Sequence, residues 1–227
     1  VELRDALRST GSIREFTDAV VSRETLYEIL DDARFAPSGG NRQAWHVIVV
    51  DDPARRLALR DLYLDGWHDY IAHVINGLIP FSPLASDADR ATALASRERA
   101  ESLSKPDSFP EQLHRVPVML VITADLEILA AIDRDLPRYQ IVGGASIYPF
   151  VWQILLAARE RGLGGVMTTI ATRNEEQVRE VVSIPSTHAV ASVVALGYPV
   201  QRHTKLTRRR VEEFTSINCF DGQPFTA

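Results

Sequence analysis

The chain has 227 residues, 45% hydrophobic and 24% charged, with a formal net charge of -5. These values suit a globular protein with a sizeable core, and they offer no general attraction to nucleic acid or an anionic membrane. Cys219 is the only cysteine, which excludes an internal disulfide framework and any multi-cysteine metal site and fits a reducing compartment.

Val1 to Ser9 are charged and amphipathic, unlike a signal peptide, and no apolar run approaches the roughly 20 residues of a membrane span. A soluble, cytoplasmic protein is expected. Leu26, Ile29, Leu30 and Ala33 follow the i, i+3, i+4, i+7 pattern of a helix with one apolar face. Ser22 is placed to cap it, and Glu24 complements the helix dipole. Pro37 and the glycines behind it end that run. Trp45 to Val50 predicts a buried strand bounded by Asp51-Asp52-Pro53, and a helix over about Ala54 to Ile75 follows.

Residues 80 to 115 differ in kind, with Pro80, Pro83, Pro106, Pro110, many small polar residues, and room for one helix around Ala88 to Leu103. Such a segment is either a functional lid or a surface excursion. Val116 to Ala124 and Ala189 to Leu196 predict two more buried strands. A long helical stretch, about Tyr139 to Arg161, lies between them; Pro149 kinks it or starts a second segment. Asn174 to Val182 predicts a short helix. Strands and helices mixed in this way give an α/β or α+β fold in one domain spanning 1–227, with helices outweighing the sheet.

Gly162-Leu163-Gly164-Gly165 is no dinucleotide fingerprint, because it closes a helix instead of opening one; a helix C-cap with close packing is expected. No phosphate loop and no Gly-x-Ser-x-Gly elbow is present. His68 and His73 are five apart and point in different directions on a helix, so they are ordinary helix residues. No general base or nucleophile stands out, which is compatible with catalysis where a cofactor carries the chemistry.

Three segments carry a signal. Gly11-Ser12-Ile13-Arg14-Glu15-Phe16 sets a hydroxyl and an arginine two apart in a turn, where both can reach a phosphate. Ala36-Pro37-Ser38-Gly39-Gly40-Asn41-Arg42-Gln43-Ala44-Trp45 joins a helix to a strand; its glycines allow close backbone approach to a planar ligand, and Ser38, Asn41 and Gln43 offer hydrogen-bond partners. Lys205, Arg208, Arg209 and Arg210 crowd one short stretch near the C-terminus, which alone is either a solvated basic tail or a nucleic-acid patch.

The second segment resembles the Ala-Pro-Ser-x-x-Asn-x-Gln-Pro-Trp loop of the nitroreductase family, with Ala44 in place of its proline. Gly11 to Phe16 resembles the family's N-terminal Arg-Arg-Ser-x-Arg-x-Phe, Gly143 to Met167 its central helix ending in Gly-Leu-Gly, and Arg208 to Phe214 its Arg-Arg-Pro-Leu-Glu-Glu. The resemblance implies an α+β, three-layer fold with a mostly antiparallel central sheet flanked by helices, and an interlocked homodimer holding FMN at its interface.

In that arrangement Ser12 and Arg14 would hold the phosphate and ribityl end. Pro37, Ser38, Gly39, Asn41 and Gln43 would line the isoalloxazine from the partner subunit, and Thr168 and Thr169 would approach its reactive edge. Arg208, with Lys205 or Arg209, would close the phosphate site. Thr10 and Gly11 stand where the family carries one or two arginines, so either Arg8 or Arg210 compensates or FMN is held more loosely. The implied reaction is ping-pong reduction of a nitroaromatic, quinone or similar small acceptor with NADPH or NADH. Other flavin chemistry on the same scaffold (reductive dehalogenation, flavin fragmentation, enone reduction) and flavin binding without turnover are the rival readings. No nucleic-acid or membrane partner and no metal are expected.

Overall fold

A computed structural model of the chain describes residues 1–203 and 205–226. Its centre is a four-stranded sheet ordered β1-β2-β4-β3, antiparallel at every pairing, built from β1 (Trp45–Val49), β2 (Val118–Asp125), β3 (Gly164–Thr168) and β4 (His188–Gly197). β2 is buried along almost its whole length, and its side chains alternate between two cores. Leu120 and Ile122 enter one of them; Met119 and Val121 enter the other.

Helices α2 (Arg23–Ala33) and α7 (Tyr148–Glu160) cover the first face, with Ile29, Val151 and Ile154 fully enclosed. The opposite face is covered by α3 (Pro53–Val74), which contributes Leu59 and Tyr63, and by α8 (Glu175–Val182), which contributes Val178. Layers of helix, sheet and helix are the α+β architecture expected. Among the described residues no helix is long and apolar enough to cross a membrane.

The caps explain where several elements start and stop. The Ser22 hydroxyl accepts from the Thr25 N–H at 3.1 Å, and Asp52 caps α3 in the same way at 2.8 Å, with Pro53 in the first helical turn. At the end of α7, Gly162 takes φ 79°; its N–H reaches the Arg159 carbonyl and that of Leu163 reaches Ala158. This is a Schellman turn, which sends the chain straight into β3.

Three expectations need correction. The strand expected to be buried, β1, is an edge strand in which no residue is buried and His46 and Val49 are exposed, because β2 covers only one of its sides. The helical stretch expected over Tyr139 to Arg161 is helical in earnest only from Tyr148, with a short 3-10 turn at Val142–Ser146 before it. Of the two readings of Pro149 the second holds: it starts a separate helix, as its missing N–H costs nothing in a first turn. Residues 80 to 115 hold three helices, not one: α4 (Asp87–Ala95), α5 (Arg97–Ser102) and α6 (Phe109–Gln112). All three pack on α3. A full capping box between Ser86 and Asp89 starts α4, and Arg97 at the head of α5 is tied to Asp65 and Asp69 of α3.

Candidate functional site

The N-terminal segment after α1 (Leu3–Ser9) runs along the free edge of β3. Ser12 bridges Gly165 in parallel, the Ile13 N–H donates to the Gly165 carbonyl at 2.9 Å, and the buried Ile13 side chain packs on Gly164. Strand alternation then turns Ser12 and Arg14 away from the side that Ile13 fills. Arg14 enters a cleft of about 150 Å³ that it shares with Met167 and Thr168 at the end of β3.

The floor of that cleft is aromatic. Tyr63, Trp67 and Tyr70 project from α3, with Trp67 stacked on Tyr70 at 5.1 Å between ring centres and Phe109 of α6 set edge-on to Tyr63. The Thr168 hydroxyl donates to the Tyr63 phenol at 3.4 Å. Burial pushes the Tyr63 phenol's pKa up, against the opposing pull of that hydrogen bond and of the Arg14 charge. Sequence reasoning did not single out these aromatics. Their i, i+4, i+7 spacing on α3 is the signal that marks them.

The Pro37–Gln43 loop lies at the other edge of the sheet, leading into β1. The Ser38 hydroxyl accepts from the Gln43 N–H at 2.9 Å, and the Gly39 N–H donates to the Ser146 hydroxyl at 3.0 Å. Asn41 and Gln43 both adopt left-handed backbone at φ 52°, a strain of about 1 kcal/mol each, and the Gln43 amide reaches Asn41 Oδ1 at 3.3 Å. Within one chain this loop and Thr168 belong to opposite edge strands, three strand spacings apart, and Thr168 stands in register with Ile48, beyond the loop's end of β1. The structure therefore brings Arg14 and Thr168 together and leaves Pro37, Ser38, Gly39, Asn41 and Gln43 apart from them.

Ser146 belongs to a connection, residues 126 to 147, organised around Asp133. That carboxylate is 2% exposed and accepts from the Ile141 N–H at 2.8 Å, the Val142 N–H at 3.2 Å and Arg138 Nη1 at 2.8 Å. The Ile141 N–H does most to hold its carboxyl below the usual carboxylate range. Burial works against this, while Arg138 and the Val142 N–H add to it.

The C-terminal tail approaches the N-terminal segment at Gly11, where a Cβ would meet the Leu206 side chain at 2.9 Å. Lys205 and Arg208 are exposed, and Arg208 donates to the adjacent Thr207 carbonyl. Arg209 lies over the Phe214 ring at 5.9 Å, and Arg210 pairs with Glu212 at 3.3 Å. Arg202, not singled out from sequence, donates to the Gly162 and Leu163 carbonyls and so closes the C-terminus of α7.

Arg14, Lys205 and Arg208 pair with no carboxylate among the described residues, and Ser12 is exposed on the same segment as Arg14. Arg14, the exposed Ser12 hydroxyl and the aromatic floor form a donor set that fits FMN, a planar molecule with a hydroxylated, phosphorylated chain.

The fold and this cleft define an α+β protein with an arginine-bordered aromatic cleft at the edge of an antiparallel sheet. Residues 7–198 match the model of the Nitroreductase family, and the chain belongs to that family. It is an oxidoreductase. It is similar to an NADH dehydrogenase of Thermus thermophilus, 30% identical over 88% of each chain. It is also similar to a 4-nitrobenzoate reductase of a Nocardioides species, 28% identical over 89% of this chain and 83% of that one. Among solved structures, an FMN-dependent nitroreductase of Clostridium difficile R20291 superposes with a TM-score of 0.62 at 23% identity, over 96% of this chain and all of the other.

Proposed function

We propose that the protein is a cytoplasmic, homodimeric FMN enzyme that uses NADH or NADPH to reduce nitroaromatics, quinones or similar small acceptors in a ping-pong reaction. The observation that carries this reading is Arg14, a cation without a carboxylate partner among the described residues, in one cleft with Thr168 over the α3 aromatics.

FMN, when bound, supplies a two-electron carrier that takes hydride from the nicotinamide and passes it to the acceptor. Arg14, Lys205 and Arg208 hold the phosphate and Ser12 the hydroxylated chain, while Arg209 borders the same site. Thr168 and Thr169 border the reactive edge of the ring. The balance for a nitro acceptor is one NAD(P)H and one proton consumed per nitro group taken to nitroso, with one water released.

Pro37, Ser38, Gly39, Asn41 and Gln43 serve the ring of the partner subunit, which accounts for their distance from Arg14 within one chain. A second copy also gives cover to the apolar side chains of the tail and α1. Phe220 is 96% exposed and Leu3 68%, and Ile217 and Phe225 are exposed beside them. Residues 80 to 115, packed on α3 above the cleft, act as its cover.

The test is the visible absorption spectrum of the purified protein, followed by anaerobic addition of NADPH and then NADH. A bound-flavin spectrum that bleaches with either is expected, with Arg14→Ala raising the FMN dissociation constant about tenfold through loss of a charge-assisted contact. A protein that stays colourless with excess FMN overturns the reading.

A further inference from the structure

A larger cavity of about 630 Å³ adjoins the cleft across Ile170, which lines both. Thr169 borders it next to that junction. The remaining walls come from the far half of α3, the turn before α4, α4 itself, and Tyr139 of the connection organised by Asp133. The volume suits a ligand of one or two rings. The walls are mixed: buried Ala72 and Ala93 with Phe81, Leu94 and Ile170 give apolar surface, and Ser82, Thr169 and Thr172 add hydroxyls.

Three charged side chains line it, and two of them are already satisfied. Asp69 is held by Arg97. Arg90 is held by Asp87 and by the Ala85 carbonyl. Arg173 has neither a carboxylate partner nor a hydrogen-bond acceptor among the described residues. It is nonetheless oriented: its guanidinium lies over the Phe81 ring at 4.9 Å, and the same ring meets the buried His73 at 5.1 Å. Stacking on a ring leaves the in-plane N–H groups of a guanidinium unused, and those are the groups that grip a carboxylate in a two-point pair. Holding the side chain in place beforehand removes part of the ordering cost of binding.

We infer that this cavity is the acceptor's binding site and that Arg173 receives a carboxylate on it, so that the preferred acceptors are aromatic acids bearing a reducible group. The inference rests on the reading of the adjoining cleft as the flavin site, because it gives Arg173 the end of the acceptor that is not reduced. A carboxylate at Arg173 fills the one charge of the cavity that has no partner among the described residues. A neutral acceptor of the same shape leaves it bound to water only.

The experiment compares 4-nitrobenzoate with its neutral isostere 4-nitrobenzamide as acceptors for the FMN-loaded enzyme, wild type, Arg173→Gln and Arg173→Lys. Arg173→Gln is expected to raise KM for 4-nitrobenzoate about tenfold with kcat little changed, and to leave 4-nitrobenzamide unaffected. Arg173→Lys restores part of the loss. Equal effects on the two acceptors, or none on either, overturn the inference while the reductase reading stands. Should no acceptor be reduced, the reductase reading fails. Calorimetric titration with benzoate then decides the cavity separately: weaker binding by Arg173→Gln supports it, and unchanged binding overturns it.

Discussion

The two edges of the sheet carry the two halves of the candidate site, and they are held by different means. At the β3 edge, Ser12 and Arg14 sit on a segment bonded to Gly165 and pressed by Ile13 onto Gly164, against a fully buried core. At the β1 edge, the Pro37–Gln43 loop is exposed, strained at Asn41 and Gln43, and held by a few side-chain hydrogen bonds to itself and to Ser146. The first is a rigid platform on which charge can be placed with little reorganisation. The second depends on a chain of contacts that ends at one buried carboxylate, Asp133. A ligand that spans both needs the platform for placement and the loop for shape.

The largest effect that would break this contrast is at Gly165. A Cβ there would stand 2.5 Å from the Ala195 carbonyl oxygen and 2.5 Å from Leu196 Cδ2, and a backbone carbonyl in the middle of a sheet has nowhere to go. Gly165→Ala is expected to cost about 3 kcal/mol, or roughly 10 °C in Tm. Thermal denaturation reads it; a shift of only a degree or two means the β3 edge yields and is no platform.

How far each edge was legible in the sequence follows the same division. The Ser22 cap, a strand beginning at Trp45, a helix beginning within a residue of Pro53 and the closing turn at Gly162 all depend on neighbours within a few residues, so caps and periodicity found them, though not that β1 lies half exposed at an edge. Arg14, Thr168 and the Pro37–Gln43 loop were picked out by resemblance, but nothing in the spacing of residues told which of them share a cleft in one chain. That depends on strand order, and β1 and β3 prove to be opposite edges. The connection 126–147 was misjudged as helix in its second half because its apolar residues keep a helical rhythm. The Asp133 carboxylate draws the Ile141 and Val142 N–H groups out of any helix, and no local pattern announces such a pairing. Arg173 and Phe81 were invisible for the same reason: 92 positions separate them in sequence, and only the fold stacks one on the other.

An intermediate effect is expected at Asp133. Asp133→Asn keeps the shape but turns an N–H donor toward three donors, those of Ile141, Val142 and Arg138. Tm should fall by several degrees at neutral pH. The folded carboxyl titrates below its unfolded value of about 3.9, so its stabilisation is complete above that pH and is lost as the pH falls through the folded value. The gap in Tm between wild type and variant should therefore be widest near pH 7 and close as the pH is taken down below about 4. A gap that stays constant over that range removes the charge of Asp133 from the account of the loop.

The smallest effect sharpens the comparison most. Ser38→Ala deletes the acceptor of the Gln43 N–H, but both residues lie in a solvent-accessible loop and water can replace the lost partner. The cost is about 1 kcal/mol and local, so Tm should hardly move, while the Gln43 amide should exchange with solvent about five times faster. The neighbouring turn, in which the Asn41 N–H donates to the Ser38 carbonyl at 2.9 Å, survives the substitution and provides the control within the same loop. If the exchange of Gln43 is unchanged, that backbone turn alone holds the loop. The β1 edge would then be as firmly built as the β3 edge, and the left-handed Asn41 and Gln43 would owe their conformation to the chain and not to the serine.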